Sequence, residues 1–413
     1  MEAFGKLKGF TDLYGPELAP FTHMERSARI IFPRYGYEEI RPPIVEFTGL
    51  FQRGIGEETD VVQKEMFTFQ DRKGRSLTLR PEATAGVLRA AITLGLAKSG
   101  HVARLFTTGP MFRYERPQKG RQRQFHQLNC ECLGSDSPYA DAELIAMLLQ
   151  FLGDIGLRNL VLKLNSLGCK ECRPVYIAAL SEYLASLPKE DFCADCQRRM
   201  RTNPLRVLDC KQDQEKLLEA PHFLDMICGE CAEHFQQVLG LLTDAGIAYE
   251  IDDRLVRGLD YYARTTFEVV SGQIGAQAAV AGGGRYDGLV SQLGGDDVPG
   301  VGFACGMERL ALLMSIPGAA TMDFYIFGLD AAARKEAFLL AENLRRQNLA
   351  GEMAFGDGSM KSLMRQASGS GARYCLIIGS DELANGTVAV KNMRDGSQSH
   401  VSRKDVAAAL KQM

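Results

Sequence analysis

Apolar positions change period several times along the first part of the chain, and each change predicts an element. Residues 18–35 place Leu18, Phe21, Met24, Ile30, Ile31 and Phe32 between polar residues, the spacing of an amphipathic helix ended near Gly36. Residues 37–41 read as a strand stopped by Pro42 and Pro43. Residues 66–69 and 76–80 alternate with period two around a charged turn at 71–74, a hairpin signal. An Ala-rich helix is expected over 82–96. A second alternating pair, 104–116 and 123–133, is joined by a basic loop. An apolar helix over 141–152 and a strand over 160–164 follow.

Residues 169–240 break this pattern with paired cysteines, many charges and a helical stretch over 175–187, so they read as an insertion. Strand alternation resumes at 249 and continues through 265–270 and 278–284. A glycine-dense run (Gly300, Gly302, Gly306) leads into an apolar helix over 307–314, and residues 317–321 read as a linker. Beyond it the pattern gives a strand (324–327), two helices (331–347, 359–367), two strands (374–378, 387–391) and a helix (404–411), which predicts a separate α/β domain. The expected boundaries are 1–168 and 241–318 as two parts of one domain, 169–240 as the insertion, and 322–413 as the C-terminal domain.

Composition narrows the function classes. The 413 residues are 46% apolar and 24% charged, which excludes a disordered or collagen-like chain. Lys+Arg 48 against Asp+Glu 51 leaves a net charge of −3, so any nucleic-acid surface has to be local. No apolar run of about 18 residues suggests a membrane helix. Glu2, Lys6 and Lys8 interrupt the first ten residues, unlike a signal peptide. A cytoplasmic location is the expectation, and with it reduced cysteines.

Four segments carry candidate chemistry. Residues 112–127 (Phe-Arg-Tyr-Glu-Arg-Pro-Gln-Lys-Gly-Arg-Gln-Arg-Gln-Phe-His-Gln) hold Arg113, Arg116, Lys119, Arg121 and Arg123 against the single Glu115. Such a field suits polyphosphate or a nucleic-acid backbone, and Phe125 offers a stacking face. Composition alone favours a solvated hairpin tip. Residues 255–268 set Arg257 and Asp260 beside Tyr261 and Tyr262, either a binding constellation or an aromatic strand edge. Residues 281–288 (Ala-Gly-Gly-Gly-Arg-Tyr-Asp-Gly) allow close approach of a ligand to backbone or simply form a tight turn. Arg309 lies at the start of a helix, where the dipole disfavours a cation lacking a negative partner. The six histidines show no HExxH spacing, and neither a G-x-S-x-G elbow nor a P-loop is present. Phosphate chemistry would therefore use arginines on an antiparallel sheet. Cys169-x-x-Cys172 and Cys193-x-x-Cys196 fit a four-cysteine zinc spacing, with Cys210, Cys228 and Cys231 in surplus. Reduced, partly buried thiols are the alternative.

Taken together, these segments resemble the histidyl-tRNA synthetase family of class II aminoacyl-tRNA synthetases over nearly the whole chain. Residues 35–46 look like the family's first motif, with Pro43 at the dimer-interface proline, and residues 51–60 and 64–67 look like the segment after it. The basic hairpin looks like the second motif, and residues 300–310 the third. Residues 255–268 and 281–289 look like the two histidine-specific signatures. The resemblance implies an α+β fold: a six-stranded antiparallel catalytic sheet with helices, a helical insertion, and a C-terminal α/β anticodon-binding domain. It implies a homodimer that activates L-histidine with ATP, accompanied by Mg2+, and transfers it to the 3′-terminal adenosine of histidine tRNA.

By the same resemblance Arg113 and Arg257 face the α-phosphate and are the catalytic pair, Arg121 lies near the outer phosphates, and Arg309 with Phe125 sandwiches adenine, with phosphate an alternative partner for Arg309. Glu82, Ala83, Thr84 and Gln127 surround the amino group of histidine. Glu131, Tyr261, Tyr262 and Tyr286 surround its ring, and Arg257 also belongs to the histidine-binding set. Arg116, Gln118, Lys119 and Arg123 would meet the tRNA acceptor end. Ala83 departs from the glycine that many members carry, and the insertion has more paired cysteines than many. Two other readings compete. A histidine-binding regulatory subunit of ATP phosphoribosyltransferase would lack both the C-terminal domain and Arg-Gly-Leu-Asp-Tyr-Tyr. A zinc-containing nucleic-acid binding module would leave the arginines unexplained.

Overall fold

The alternating runs meet in one sheet. The computed structural model describes residues 4–57, 59–210, 212–273, 279–315 and 322–412, and the chain divides into two compact units, Met1–Ser315 and Ile316–Met413. The linker expected at 317–321 lies outside the described residues. In the first unit the strands are β1 (Glu38–Glu39), β2 (Val45–Phe47), β3 (Phe67–Gln70), β4 (Ser76–Leu79), β5 (Ala103–Phe112), β6 (Gln124–Leu133), β7 (Leu160–Ser166), β8 (Glu250–Ile251), β9 (Ala263–Ser271), β10 (Ala279–Arg285) and β11 (Gly300–Gly306). The helices are α1 (Ala19–Ile31), α2 (Thr48–Ile55), α3 (Thr84–Thr93), α4 (Pro138–Asp154), α5 (Cys172–Ser186), α6 (Ala194–Thr202), α7 (Gly229–Asp244), α8 (Leu289–Gln292) and α9 (Met307–Leu313).

The main sheet runs β1-β5-β6-β11-β10-β9-β7-β8. Its six central strands are antiparallel, as expected, and a two-residue strand pairs in parallel at each edge. Prolines at 42 and 43 hold β1 to two residues of the five the alternation suggested. The hairpin β3–β4 forms a separate sheet with β2.

Period-two alternation sorts the main sheet's residues by face. Cys130, Cys132, Phe267, Val269, Val301, Phe303 and Cys305 join Met24, Phe32, Leu144, Phe151 and Val238 in one core beneath the helices. Their sequence neighbours Gln127, Glu131, Thr266, Glu268, Gly300 and Gly302 are consequently turned to the other face. The insertion has its own core, built on Tyr176, Leu180, Leu184, Phe192, Val207 and Phe223, with the Tyr176 and Phe223 rings stacked at 4.0 Å. Helix α7 runs through the boundary expected at 240, because Phe235, Val238, Leu239 and Leu242 belong to the main core.

The second unit contains β12 (Phe324–Gly328), α10 (Ala331–Arg346), β13 (Gly351–Met353), α11 (Met360–Ser370), β14 (Tyr374–Ile378), α12 (Ser380–Asn385), β15 (Thr387–Asn392), β16 (Gln398–Ser402) and α13 (Val406–Gln412). Its sheet order is β13-β12-β14-β15-β16. Central strands β12 and β14 are wholly buried, which is why their apolar runs were readable as strands.

Candidate functional site

Glycines on β10 and β11 hollow out the open face of the sheet. A Cβ at Gly302 would strike the Glu131 carboxylate, one at Gly300 the Tyr286 ring, and one at Gly282 the Arg257 guanidinium. Only hydrogen at these positions leaves room for the functional side chains. Glu131 stands opposite Gly302 on β6 and is buried. Thr84 donates its hydroxyl to Oε1 at 2.7 Å, and Tyr286 donates to Oε2 at 2.6 Å. Burial raises the Glu131 carboxyl to about 8, with Glu82 adding to the rise and the two hydroxyl donors opposing it. The Tyr261 ring packs edge-on to Tyr286 and 4.6 Å from Tyr262.

Glu82 is buried at the start of α3, where it accepts from the backbone N–H groups of Thr84 (2.7 Å) and Ala85 (2.9 Å). Ala83, fully covered, is the residue preceding the helix. Thr84 thus links the two carboxylates, taking Glu82 with its backbone and Glu131 with its side chain. Gln127 Oε1 is buried without a hydrogen-bond partner among the described residues, as is Arg257 Nε.

The arginines stand around this pocket, each already held. Arg257 pairs with Glu268, which lies across from Gly282, and its guanidinium lies 5.7 Å from the Tyr262 ring centre. Arg113 donates Nε to the Pro81 carbonyl at 2.8 Å and lies 5.4 Å from the Phe125 ring centre. Arg121 pairs with Glu115 at 3.2 Å. Arg309, third in α9, donates to the Ala279 carbonyl at 2.7 Å. Burial lowers the Arg309 pKa, and the nearby Arg121 and Arg113 cations lower it further. That like-charge effect joins three guanidinium groups from the second and third motifs in one field. A Cβ at Gly120 in the basic loop would meet the Arg309 stem and Leu312 at 3.4 Å, so the loop lies close to α9.

The 254–262 loop is fastened by the insertion: Arg206 donates to the Arg257 carbonyl at 3.1 Å, Arg173 to the Asp260 carbonyl at 3.0 Å, and Asn203 to Asp260 Oδ1 at 3.0 Å. Sequence reading missed these residues and Glu268, since no spacing rule links them to Arg257. It also passed over Arg285, which is fully buried and pairs with Asp141 at 2.8 Å, with His234 3.4 Å away on the same carboxylate. That network ties β10 to α4 and α7 and is structural. In the basic loop Arg116, Gln118 and Lys119 are exposed. Arg123 instead stacks on Tyr114 with its guanidinium 3.8 Å from the ring centre.

The expected four-cysteine grouping needs correction. Cys169 and Cys172 gather with Cys228 and Cys231, whereas Cys193 and Cys196 gather with Cys210 and Asp213. The hydrophobic length of α5 separates the two Cys-x-x-Cys pairs that are neighbours in sequence, and the fold returns later residues to each.

Residues 9–310 match the family model described as histidyl-tRNA synthetase, and residues 323–413 match that of an anticodon binding domain. A histidine–tRNA ligase of Nitratidesulfovibrio vulgaris (strain DP4) is 61% identical over 412 residues, covering 99% of both chains. One of Geobacter metallireducens is 48% identical and covers 98% of both. The solved structure of apo S. aureus histidyl-tRNA synthetase matches with a TM-score of 0.83 at 32% identity, over 99% of this chain and 100% of that one. A Bacillus halodurans structure described as an ATP phosphoribosyltransferase regulatory subunit/histidyl-tRNA synthetase shares the fold at 19% identity, with a TM-score of 0.68 over 92% of this chain and 99% of that one.

Proposed function

Because the chain belongs to the histidyl-tRNA synthetase family, we propose a division of labour among its residues for joining histidine to tRNA at the expense of ATP. The regulatory-subunit reading has less support, since the ligase relatives match the chain over its full length and residues 323–413 match an anticodon binding domain. The observation that carries the assignment of residues is the buried Glu131 carboxylate held by Thr84 and Tyr286 beneath Gly302.

Once Glu131 releases its proton on binding, each of its oxygens has one lone pair engaged and a second left to accept the ring N–H of a neutral imidazole. The Tyr262 hydroxyl donates to the other ring nitrogen, and Tyr261 and Tyr286 wall the ring. A side chain lacking imidazole would leave these buried groups unpaired, which is a strong basis for discrimination. The ammonium meets Gln127 Oε1 and the Glu82 carboxylate, beside Ala83 and Thr84.

In the first step the histidine carboxylate oxygen attacks the ATP α-phosphorus, and the bond to pyrophosphate breaks. One anion approaches another, so positioned cations carry the catalysis. Arg257 and Arg113 neutralise the α-phosphate, Arg121 follows the leaving pyrophosphate, and Arg309 with Phe125 sandwiches adenine. Magnesium accompanies ATP as its counter-ion. Among the described residues no group of three carboxylates or histidines gathers at the cleft, the arrangement suited to an ion held chiefly by phosphates and water. In the second step the terminal 3′-hydroxyl attacks the adenylate carbonyl and releases AMP.

The exposed Arg116, Gln118 and Lys119 suit contact with the acceptor end; Arg123 contributes by bracing Tyr114. Residues 1–168 and 241–318 form the catalytic domain together with the α7 residues Phe235, Val238 and Leu239, the rest of 169–240 forms the insertion, and 322–413 the anticodon-binding domain. Ile44, Val45, Phe47 and Phe69 are exposed apolar residues around Pro43, which supports a homodimer through this face. The assembly is assigned to the cytoplasm; no described helix is long and apolar enough to cross a membrane. Histidine-dependent ATP–pyrophosphate exchange, run against the other amino acids, tests the assignment. Exchange with histidine alone is expected, and exchange without amino-acid preference would refute the pocket.

A further inference from the structure

We propose that the insertion binds two zinc ions at separate sites, one held by Cys169, Cys172, Cys228 and Cys231 and the other by Cys193, Cys196, Cys210 and Asp213. In each group the four ligand atoms lie within 4.8 Å of one another. Cys169 Sγ is 3.6 Å from Cys172 Sγ, which is 4.0 Å from Cys231 Sγ. Cys193 Sγ is 3.7 Å from Cys210 Sγ, which is 3.6 Å from Asp213 Oδ2. A tetrahedron with zinc–sulfur bonds of about 2.3 Å has edges of about 3.8 Å, so both groups already have the size of a mononuclear site. An iron–sulfur cluster attaches its cysteines to different irons and would need them farther apart.

The surroundings fit thiolates. Cys172 begins α5, Cys193 and Cys228 directly precede α6 and α7, and Cys196 and Cys231 lie in the first turns of those helices. Helix N-termini stabilise the deprotonated sulfur that a metal needs. Backbone N–H groups point at the ligands: Cys228 donates to Cys172 Sγ at 3.1 Å, Cys196 to Cys193 Sγ at 3.5 Å, and Cys193 to Asp213 Oδ2 at 3.0 Å. Lys216 holds the other Asp213 oxygen at 2.8 Å, which fixes the carboxylate and offsets negative charge at the outer edge of the site. On metal binding each ligating thiol releases its proton to solvent.

The two sites do different structural jobs. The first joins the chain where it leaves the sheet to where it returns. The second closes the segment from Cys193 to Asp213, and that segment carries Arg199 on α6 and Asn203 and Arg206 after it. Arg199 reaches Asp60 at 2.6 Å, and the other two hold the loop of Arg257. The second ion therefore fastens that loop indirectly.

The test uses full-length protein purified under reducing conditions, loaded with excess zinc and desalted, with metal measured by mass spectrometry. Two zinc ions per chain are expected, falling to one in C228S/C231S and to one in C210S/D213N. Since such variants can fail to fold, cobalt-loaded wild type gives a second measurement: absorption resolving one all-sulfur and one three-sulfur, one-oxygen tetrahedral site. Hydrogen exchange should rise in residues 193–213 and 254–262 when metal is stripped. One ion or none per folded wild-type chain, or cysteines recovered as disulfides, overturns the two sites. Unchanged exchange on stripping overturns the fastening role.

Discussion

The two sides of the cleft solve opposite problems. On the side proposed for histidine the two carboxylates are buried and engaged: Glu131 has Thr84 and Tyr286, and Glu82 has two backbone donors. On the side proposed for phosphate the cations are held by groups they could trade, Arg257 by Glu268, Arg121 by Glu115, Arg113 and Arg309 by carbonyls. A ligand recognised by shape and hydrogen bonds needs a slot whose geometry exists beforehand. A ligand recognised by charge needs guanidinium groups close together, and several uncompensated cations in one place repel. Carboxylate and carbonyl partners lower that cost without filling the space where phosphate will sit.

The largest effect should come from removing a traded cation. Arg257→Ala is expected to lower adenylation by about 100- to 1000-fold, the usual scale for a group acting on transition-state charge, while histidine binding changes far less. Pyrophosphate exchange measured with equilibrium histidine binding checks this, and equal losses in both would merge the two sides into one. Glu131→Gln attacks the other side. Losing one charge-assisted hydrogen bond should cost about 10- to 100-fold in kcat/KM for histidine, with ATP affinity nearly unchanged.

The same substitution carries a pH signature. Burial raises Glu131 from a usual value near 4.5 to about 8, so the folded state keeps a proton that the unfolded chain has lost. Stability from this group is present in full below about pH 4.5 and declines as pH rises toward 8, at most about 1.4 kcal/mol per unit. Ligand-free wild type should melt progressively lower from pH 5 to 8, and Glu131→Gln should flatten that slope. A slope that survives the substitution would assign it to Glu82 or another buried group.

The comparison also explains what the sequence could and could not disclose. Strands β5 and β6 were legible because each runs for ten residues, with apolar residues alternating at Leu128, Cys130 and Cys132 in β6. The edge strands β13 and β16 were not, the first being three residues long and the second largely exposed and polar. The arginines and tyrosines were visible through family resemblance. Their partners were not: Glu268 meets Arg257 only after β9 pairs with β10, and the need for glycine at 302 exists only once β11 lies beside Glu131. The cysteines misled for the same reason. Linear spacing joined Cys172 to the pair at 193 and 196, while α7 brings back Cys228 and Cys231 from farther along the chain.

Two glycines give a finer cut between the sides. A methyl group at 282 meets the Arg257 guanidinium, and one at 302 meets the Glu131 carboxylate. Gly282→Ala should lower kcat about 10- to 100-fold with little change in KM for histidine, and Gly302→Ala should chiefly raise that KM by a similar factor, as expected for displacements of about 1 Å or more. Steady-state kinetics on both variants checks the split, and interchanged effects would reverse the assignment of the sides.

The smallest effect is the most diagnostic of a traded partner. Glu268→Gln removes the charge that opposes incoming phosphate while leaving an oxygen that can still accept from Arg257. If the carboxylate only occupies Arg257 until ATP arrives, its loss should lower the KM for ATP by about 2- to 5-fold, the scale of a partly exposed ion pair. The turnover rate should fall by a similar factor as the guanidinium becomes less well directed. Added salt should shrink the gain in ATP affinity, because screening weakens the repulsion that the substitution removes. An unchanged KM for ATP with a large loss of turnover would mean that Glu268 orients Arg257 through the transition state. The phosphate side would then be as preformed as the histidine side, and the contrast between them would fail.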